Sequence, residues 1–529
     1  APRPTSDMEL PMPFEAPVPV TRAGARAIVV GAGFGGMAAA LRLRARGYAV
    51  TLIDQRPRLG GRAQVFEREG FRHDAGPTVL CAPDLFRELF ALFGENFDDH
   101  VRLVEPSPWY RFAYADGDHF DYGPTQGATE AEIARLSPGD VAGYRALLAH
   151  GQDLHDIAFA RLGDQPFHDP LFMARQIPDL IRLKTYRTVW QTAKAHLKDD
   201  RLRRAFSIQP LLLGGNPLRT TGLYSLISYL ERRDGVWFPM GGTGALVEAL
   251  GGLMDRAGIE LRLDTPVERL VLDGRRVTGV ALPGGRVERA DIVVSNCDPL
   301  HLYRNMIPDA ARAAFPSLRL RVGRPSMGLF VLYFGARRQW PGVAHHTIQF
   351  SERYEGLLRD IFDRGRLPPD LSLYLHRPTA TDPSFAPPGC DSFYVLCPVP
   401  NLAAGPVDWQ EEGPRLRDRI VDHLDATLLP GLKETITADF FMTPEDFRDD
   451  YSSLHGAGFS LAPLFRQSAW FRFHNRGEGL ANLYLVGGGT HPGAGVPGAV
   501  LSAKVLDNLV PVPATEMADA EAQKKGKAA

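Results

Sequence analysis

The pattern of apolar and polar positions is most regular between residues 26 and 62. An apolar run at 27–30 is followed by a glycine-rich turn, an Ala/Leu/Arg-rich stretch, and a second apolar run at 50–53 that ends at Asp54. Short apolar runs bounded by turn residues indicate buried strands, and the longer stretch between them is typical of a helix. The segment therefore predicts a βαβ unit.

The glycines of this unit have the spacing of a dinucleotide-binding motif. Gly31, Gly33 and Gly36 form G-x-G-x-x-G directly after the first strand. The first glycine permits a tight turn, the second lets the backbone approach a pyrophosphate, and the third allows close helix–strand packing. Asp54 occupies the position that hydrogen-bonds a ribose hydroxyl. A chance glycine turn is the weaker interpretation, because strand, glycines, helix, strand and acid follow in order.

Further along the chain, apolar runs predict that the same domain is completed by later segments. A helix is predicted over 245–257, followed by strands at 260–263, 267–272, 277–282, 286–289 and 292–295. Asp273-Gly274 and Pro283-Gly284-Gly285 supply hairpin turns between them. A last buried strand, 483–486, leads into a turn with six glycines in the twelve residues 487–498. So many glycines favour a close backbone approach to a ligand over a purely structural loop.

These patterns divide the chain into seven segments. We predict a disordered leader (1–24), three parts of a nucleotide-binding domain (25–106, 235–306 and 470–510), a mostly helical substrate or membrane region (107–234), a mixed-sheet substrate region (307–469) and a loose tail (511–529). The fold class is α/β, with a Rossmann-type domain that carries an inserted α+β substrate domain.

Composition and charge exclude several classes of protein. The net charge of −2 gives no general attraction to nucleic acid, so no nucleic-acid partner is expected. Four scattered cysteines without a C-x-x-C pair indicate neither a disulfide framework nor a zinc site. No apolar run reaches 18 residues, so no membrane-spanning helix is expected, and the predicted location is cytoplasmic.

Two sets of motifs carry resemblances to known families. Gly60-Gly61-Arg62 resembles FAD-binding flavoproteins of the glutathione-reductase and amine-oxidase kind. Across about residues 26–505 the chain resembles the bacterial phytoene desaturases, in stretches that include Asp74-Ala75-Gly76-Pro77-Thr78, Leu213-Gly214-Gly215-Asn216-Pro217, Gly241-Gly242-Thr243-Gly244-Ala245-Leu246 and the closing 482–498. Gly488, where the family more often has Ala, and Ala499-Val500-Leu501 depart from the pattern. The second departure lies near the expected flavin pocket and can tune the number of desaturation steps.

The resemblance implies an FAD enzyme that desaturates phytoene toward neurosporene or lycopene. Each step removes a hydride and a proton from adjacent carbons, and a quinone or oxygen takes the electrons. Because an allylic cation is delocalised along the polyene, a strong base is not required. Alternatives are a hydroxycarotenoid or diapocarotenoid desaturase, a carotenoid isomerase, an amine oxidase-like flavoenzyme, or a non-catalytic prenyl-lipid binder. A nicotinamide dehydrogenase is disfavoured because only one dinucleotide motif is present.

The resemblance also implies which residues contact FAD. Besides the first glycines and Asp54, they are Gly61, Arg62, Gly76, Pro77, Thr78, Val267, Gly488, Gly489, Thr490, Gly495 and Val496. The catalytic residues are not assigned. His491 and Arg175 are candidates, although a structural histidine and an arginine whose head group snorkels to water are the plainer interpretations. No metal site is expected, since adjacent His345 and His346 would point to opposite faces of a regular strand.

A membrane surface is the last predicted partner. The stretch 167–183 is apolar with few charges, and 182–204 then holds Lys184, Arg187, Lys194, Lys198, Arg201 and Arg203. An apolar face beside a basic cluster is typical of a segment that lies on anionic lipid. The alternative is an internal helix followed by a solvated one. We therefore expect a peripherally membrane-associated protein, because phytoene itself partitions into lipid.

Overall fold

The computed structural model of the chain describes residues 24–513. The leader predicted over 1–24 and the tail predicted over 511–529 lie almost entirely outside the described residues.

The strands are numbered in chain order. They are β1 (Arg26–Val30), β2 (Ala49–Ile53), β3 (Val65–Arg68), β4 (Phe71–Asp74), β5 (Leu103–Val104), β6 (Tyr110–Ala113), β7 (His119–Tyr122), β8 (Phe238–Pro239), β9 (Glu260–Arg262), β10 (Arg269–Asp273), β11 (Arg276–Ala281), β12 (Val287–Arg289), β13 (Ile292–Ser295), β14 (Gly328–Ala336), β15 (His346–Gln349), β16 (Leu373–His376), β17 (Asp391–Val399), β18 (Ile436–Met442) and β19 (Leu483–Leu485).

The α-helices are numbered in the same way. They are α1 (Phe34–Ala45), α2 (Asp84–Ala91), α3 (Gln126–Leu136), α4 (Val141–His155), α5 (Pro170–Arg182), α6 (Val189–His196), α7 (Asp200–Ala205), α8 (Leu226–Asp234), α9 (Gly242–Arg256), α10 (Pro299–His301), α11 (Ala314–Val322), α12 (Tyr354–Phe362), α13 (Trp409–Ala426), α14 (Pro444–Tyr451) and α15 (Val496–Lys504).

A five-stranded parallel sheet forms the nucleotide-binding part, in the order β19-β13-β1-β2-β9. Its strands come from three separate stretches of the chain, so the chain returns to this sheet twice. The helix α1 is buried along most of its length because its alanines and glycines allow close packing. The Rossmann-type arrangement therefore rests on the small residues that follow the first strand.

A seven-stranded mixed sheet forms the second layer, in the order β18-β14-β17-β16-β15-β6-β7. Strand β14, which lies between β18 and β17, is buried at all nine positions, which explains its continuous apolar sequence. Strands β6 and β7 pair at the edge of this sheet, with β6 parallel to β15. The segment 107–234, predicted to be mostly helical, therefore begins with two strands that belong to the substrate-region sheet.

The small sheets and the remaining helices complete the description. Strands β10, β11 and β12 form an antiparallel meander, as the turn residues predicted. The strand predicted from Val267 begins two residues later, at Arg269, so Val267 lies in the loop before it. No helix between residues 24 and 513 combines the length and the hydrophobicity that a bilayer crossing requires.

Candidate active site

A cavity of about 550 Å³ lies between the parallel sheet and the mixed sheet. The turns after β1 and β19 form one end of its wall, and α5, α8, β14, β16 and β17 contribute mostly apolar side chains to the rest. Representative lining residues are Gly33, Asp54, Leu180, Ile227, Leu329, Tyr374, Leu396 and Gly488. The predicted nucleotide site and an apolar chamber are thus one continuous space.

The first glycine motif builds one end of the cavity. Gly31 has a φ of +99°, a conformation that favours glycine. A Cβ on Gly36 would lie 1.9 Å from the carbonyl oxygen of Gly31, so α1 can approach the turn only with glycine at this position. Gly33 precedes the first residue of α1 and lines the cavity. The N-terminus of α1 therefore points its amides and its dipole at the position that a pyrophosphate would occupy.

Asp54 follows β2 and lines the same end of the cavity. One carboxylate oxygen accepts a hydrogen bond from the amide of Ala32 at 2.5 Å, and the other accepts from the amide of Arg56 at 2.7 Å. Burial raises the pKa of Asp54, while these amides favour the charged form. The carboxylate thus ties the glycine turn to β2, and its contact with a ribose stays a prediction.

Two further predicted segments meet beside the first glycine motif. Gly61, Arg62, Gly76, Pro77 and Thr78 all line the cavity. A Cβ on Gly76 would lie 2.5 Å from the carbonyl oxygen of Arg62, which explains the glycine. Burial lowers the pKa of Arg62, and the nearby Asp298 carboxylate opposes that shift. The buried Nε of Arg62 has no hydrogen-bond partner among the described residues, so this cation is available to a phosphate or a flavin ring.

Part of the closing glycine turn borders the same end of the cavity as the first glycine motif. Gly488, Gly495 and Val496 line the cavity, and α15 begins there with Gly495 at a φ of +97°. Gly489 and Thr490 are not among the lining residues. A Cβ on Gly489 would lie 2.2 Å from Cδ of Pro299, and the Thr490 hydroxyl donates to the carbonyl of Gly487 at 2.9 Å. Gly489 and Thr490 therefore stabilise the turn through packing and a hydrogen bond, on the side that faces away from the cavity. Val267 lines the cavity from its loop.

The two candidate catalytic residues occupy different places. His491 is buried in the cavity wall, 4.3 Å from Phe167 between ring centroids, and burial lowers its pKa to about 3. It is therefore neutral and a weak proton acceptor at neutral pH. Arg175 is exposed on α5 and is not part of the cavity lining, so the snorkelling interpretation fits it.

Glu231 is a cavity residue that the sequence analysis missed. It lies on α8, is 3 % exposed, and accepts a hydrogen bond from the Tyr110 hydroxyl at 3.1 Å. Burial raises its pKa to about 7. The available signal was its spacing, because Ile227, Leu230 and Glu231 follow one another at i, i+3 and i+4 on the apolar face of a helix.

A buried histidine cluster lies outside the cavity lining. Ring nitrogens of His345, His346 and His376 lie within 4.8 Å of one another. The expectation that the adjacent pair points to opposite faces is wrong, because β15 begins at His346 and His345 precedes the regular strand. His345 approaches the Thr381 hydroxyl at 2.6 Å, and His346 approaches the Tyr374 hydroxyl at 2.8 Å. Burial lowers the pKa of all three imidazoles, so the cluster is uncharged.

Comparison with known proteins places this architecture in a family. Residues 34–505 match the family described as flavin-containing amine oxidoreductase. Solved structures share the fold at low identity. A putrescine oxidase bound to putrescine superposes with a TM-score of 0.59 at 15 % identity over 92 % of this chain and 99 % of its own. A cyclohexylamine oxidase from Brevibacterium oxydans gives 0.57 at 16 % identity over 92 % and 100 %.

Curated relatives are much closer in sequence. A lycopene-forming phytoene desaturase from Pseudescherichia vulneris is 46 % identical over 92 % of this chain and 99 % of its own length. A neurosporene-forming phytoene desaturase from Cereibacter sphaeroides is 43 % identical over 92 % and 94 %. The resemblance that the sequence motifs indicated is confirmed. This chain belongs to the flavin-containing amine oxidoreductases and, within them, to the family of bacterial phytoene desaturases.

Proposed function

We propose that this protein desaturates phytoene, a long apolar isoprenoid, toward neurosporene or lycopene with FAD as its cofactor. The turns around Gly33, Gly61 and Gly76 form what we call the nucleotide cradle. The observation that carries the proposal is that this cradle and an apolar chamber are parts of one continuous cavity. The close relatives are named as phytoene desaturases, and this chain covers 99 % and 94 % of their lengths. An amine substrate is disfavoured because the solved amine oxidases are only 15–16 % identical to this chain, whereas the phytoene desaturases are 43–46 % identical.

The residues of the cradle fit FAD and bind it in this proposal. Glycines at 31 and 33, together with the N-terminus of α1, accommodate the pyrophosphate, and Asp54 and Arg62 stand where ribose and phosphate or ring are expected. When bound, FAD supplies the acceptor for a hydride. The apolar walls of the chamber hold the polyene extended and exclude water, which orients the reacting carbons and strengthens electrostatic interactions there.

The helix α5 is proposed as the membrane contact. Its inner residues Met173 and Leu180 line the cavity, whereas Leu171 and Ile181 are 68 % and 61 % exposed. A helix that borders a chamber on one face and presents large apolar side chains on the other suits entry of a lipid-dissolved substrate. Basic side chains at 184 and 194 are exposed nearby in the sequence, which favours an anionic lipid surface.

Replacing Leu171 and Ile181 together with serine tests this contact. We expect binding to vesicles with one-third anionic lipid to fall about 100-fold or more, because roughly 1.5 kcal/mol or more is lost for each of the two large apolar side chains that no longer enters lipid. Co-sedimentation of the FAD-loaded protein measures it. Val322→Ser is the control, since Val322 is 63 % exposed on α11. Equal binding of both variants would remove α5 as the contact.

The proposed activity is tested by mixing the FAD-loaded protein anaerobically with phytoene in liposomes. Loss of the oxidised-flavin absorbance together with coloured polyenes in the lipid extract is the expected result. Extraction at increasing times counts the double bonds and separates neurosporene from lycopene. Adding a quinone or oxygen afterwards identifies the acceptor by the return of the oxidised spectrum. A flavin that stays oxidised with phytoene, and is reduced by a hydroxylated or C30 carotenoid instead, would replace the proposed substrate.

A further inference from the structure

Four carboxylates line the cavity, and Glu231 differs from the other three. Asp54 and Asp298 each accept backbone amides, and Asp450 pairs with Arg56 at 2.6 Å. All three border the turns of the nucleotide cradle. Glu231 instead stands on α8 among the leucine and isoleucine side chains of the chamber. It is the carboxylate placed where the isoprenoid, rather than the cofactor, would lie.

Glu231 keeps one oxygen free. Oε1 accepts from the Tyr110 hydroxyl, whereas Oε2 is buried with no hydrogen-bond partner among the described residues. No lysine or arginine between residues 24 and 513 lies within ion-pair distance of it. The neighbouring Arg232 turns away, with its guanidinium 4.5 Å from the ring centroid of Trp109 and a hydrogen bond to the carbonyl of Gly123. The charge is therefore not neutralised by an ion pair.

We propose that Glu231 is the proton acceptor of the desaturation, a role that rests on the proposed function. A hydride leaves one carbon with its electron pair and passes to FAD, and a proton leaves the adjacent carbon for the free oxygen of Glu231. The electrons of that C–H bond form the new C=C bond. The substrate loses two electrons and FAD gains them, and the carboxylate becomes a carboxylic acid. Before the proton departs, the same negative charge stabilises the allylic cation.

The surroundings of Glu231 suit a base that works near neutral pH. Cys81, Tyr110, Tyr122 and Tyr144 face it, and burial raises the pKa of each, so they are uncharged; Arg232 is the nearby cation. Burial raises the pKa of Glu231 to about 7, and the Tyr110 hydrogen bond and Arg232 oppose that shift. The group is then ionised in part at pH 7 and can both accept and release a proton.

The first test is Glu231→Gln in the FAD-loaded full chain, which keeps the shape and an acceptor for Tyr110. Flavin reduction by phytoene should slow by about 100-fold or more, with FAD content and flavin spectrum unchanged. The wild-type rate should rise with pH through about 7, since the base must be ionised. Tyr110→Phe removes a hydrogen bond that lowers the pKa, so the rise should move to higher pH. Glu248→Gln, at an exposed position on α9, is the control.

A second measurement does not depend on activity. The pKa of Glu231 is raised in the folded state from 4.5 to about 7, so the stability it contributes is present below pH 4.5 and is lost as pH rises through about 7. Melting curves of Glu231→Gln and wild type should therefore diverge in favour of the variant between pH 5 and 8. The assignment would be overturned if phytoene reduced the flavin of Glu231→Gln at a rate within threefold of the wild-type rate. It would also be overturned if the melting temperatures of the two proteins changed with pH in parallel. Failure of the wild type itself to oxidise phytoene would instead contradict the proposed function.

Discussion

Replacing Gly36 with alanine is expected to abolish FAD binding and, with it, all activity. The added Cβ would lie 1.9 Å from the carbonyl oxygen of Gly31, and both partners belong to rigid backbone. Relief requires α1 to move away from β1, which separates the helix N-terminus from the turn that holds the pyrophosphate. Because α1 is buried along most of its length, we expect a cost of at least about 3 kcal/mol for this overpacking.

The flavin content of the purified protein measures the effect. Gly127→Ala is the matched control, because Gly127 lies in α3 with no atom within 4 Å of an added Cβ. Alanine favours a helix by up to about 1 kcal/mol over glycine, so this control should keep its flavin and gain slightly in stability. Wild-type flavin content in Gly36→Ala would mean that the turn and α1 can separate without losing the cofactor site.

The cradle could be predicted from the sequence because its chemistry depends on local backbone geometry. Gly31, Gly33 and Gly36 act through turns and close approaches within a few residues of each other, and these requirements appear directly as glycines. The parallel sheet was predictable for a similar reason, since its strands β1, β2, β13 and β19 are mostly apolar runs. A local pattern cannot show which residues of a turn face the cavity, and Gly489 and Thr490 are examples. They belong to the same glycine-rich turn as Gly488 but lie behind it.

The residues that the sequence analysis missed depend on packing between distant segments. Glu231 stands in the run Glu231-Arg232-Arg233-Asp234, which has the composition of a solvated helix end. In the folded chain Glu231 faces the cavity, while Arg233, two residues further on, is exposed. The strands β6 and β7 were missed because the sheet that they join continues at β15, which pairs with β6 and lies more than 200 residues away. Tertiary context overrides local pattern at such positions.

The largest loss of stability is expected from Asp391→Ala, at the start of β17. Asp391 is fully buried and accepts hydrogen bonds from Arg377 Nε at 2.8 Å and Nη2 at 3.2 Å, from the amide of Trp340 at 2.8 Å and from the Thr379 hydroxyl at 2.6 Å. Alanine leaves the buried Arg377 cation without its counter-ion, with a hydrogen bond to the Val343 carbonyl remaining, and this costs about 3–5 kcal/mol. Because Arg377 directly follows β16, the wall of the cavity that carries Tyr374 should loosen as well.

Asp98→Ala is the control that isolates burial as the cause. Asp98 receives the same two-pronged hydrogen bonding from Arg87, at 2.9 and 2.8 Å, but the two side chains are 47 % and 40 % exposed. Water solvates both charges when the pair is broken there, so the expected loss is about 0–1 kcal/mol. Urea denaturation of both variants measures the difference. Equal losses in the free energy of unfolding would mean that water reaches the Asp391–Arg377 pair in solution. The ends of β16 and β17 would then be more accessible to solvent than the buried pair indicates.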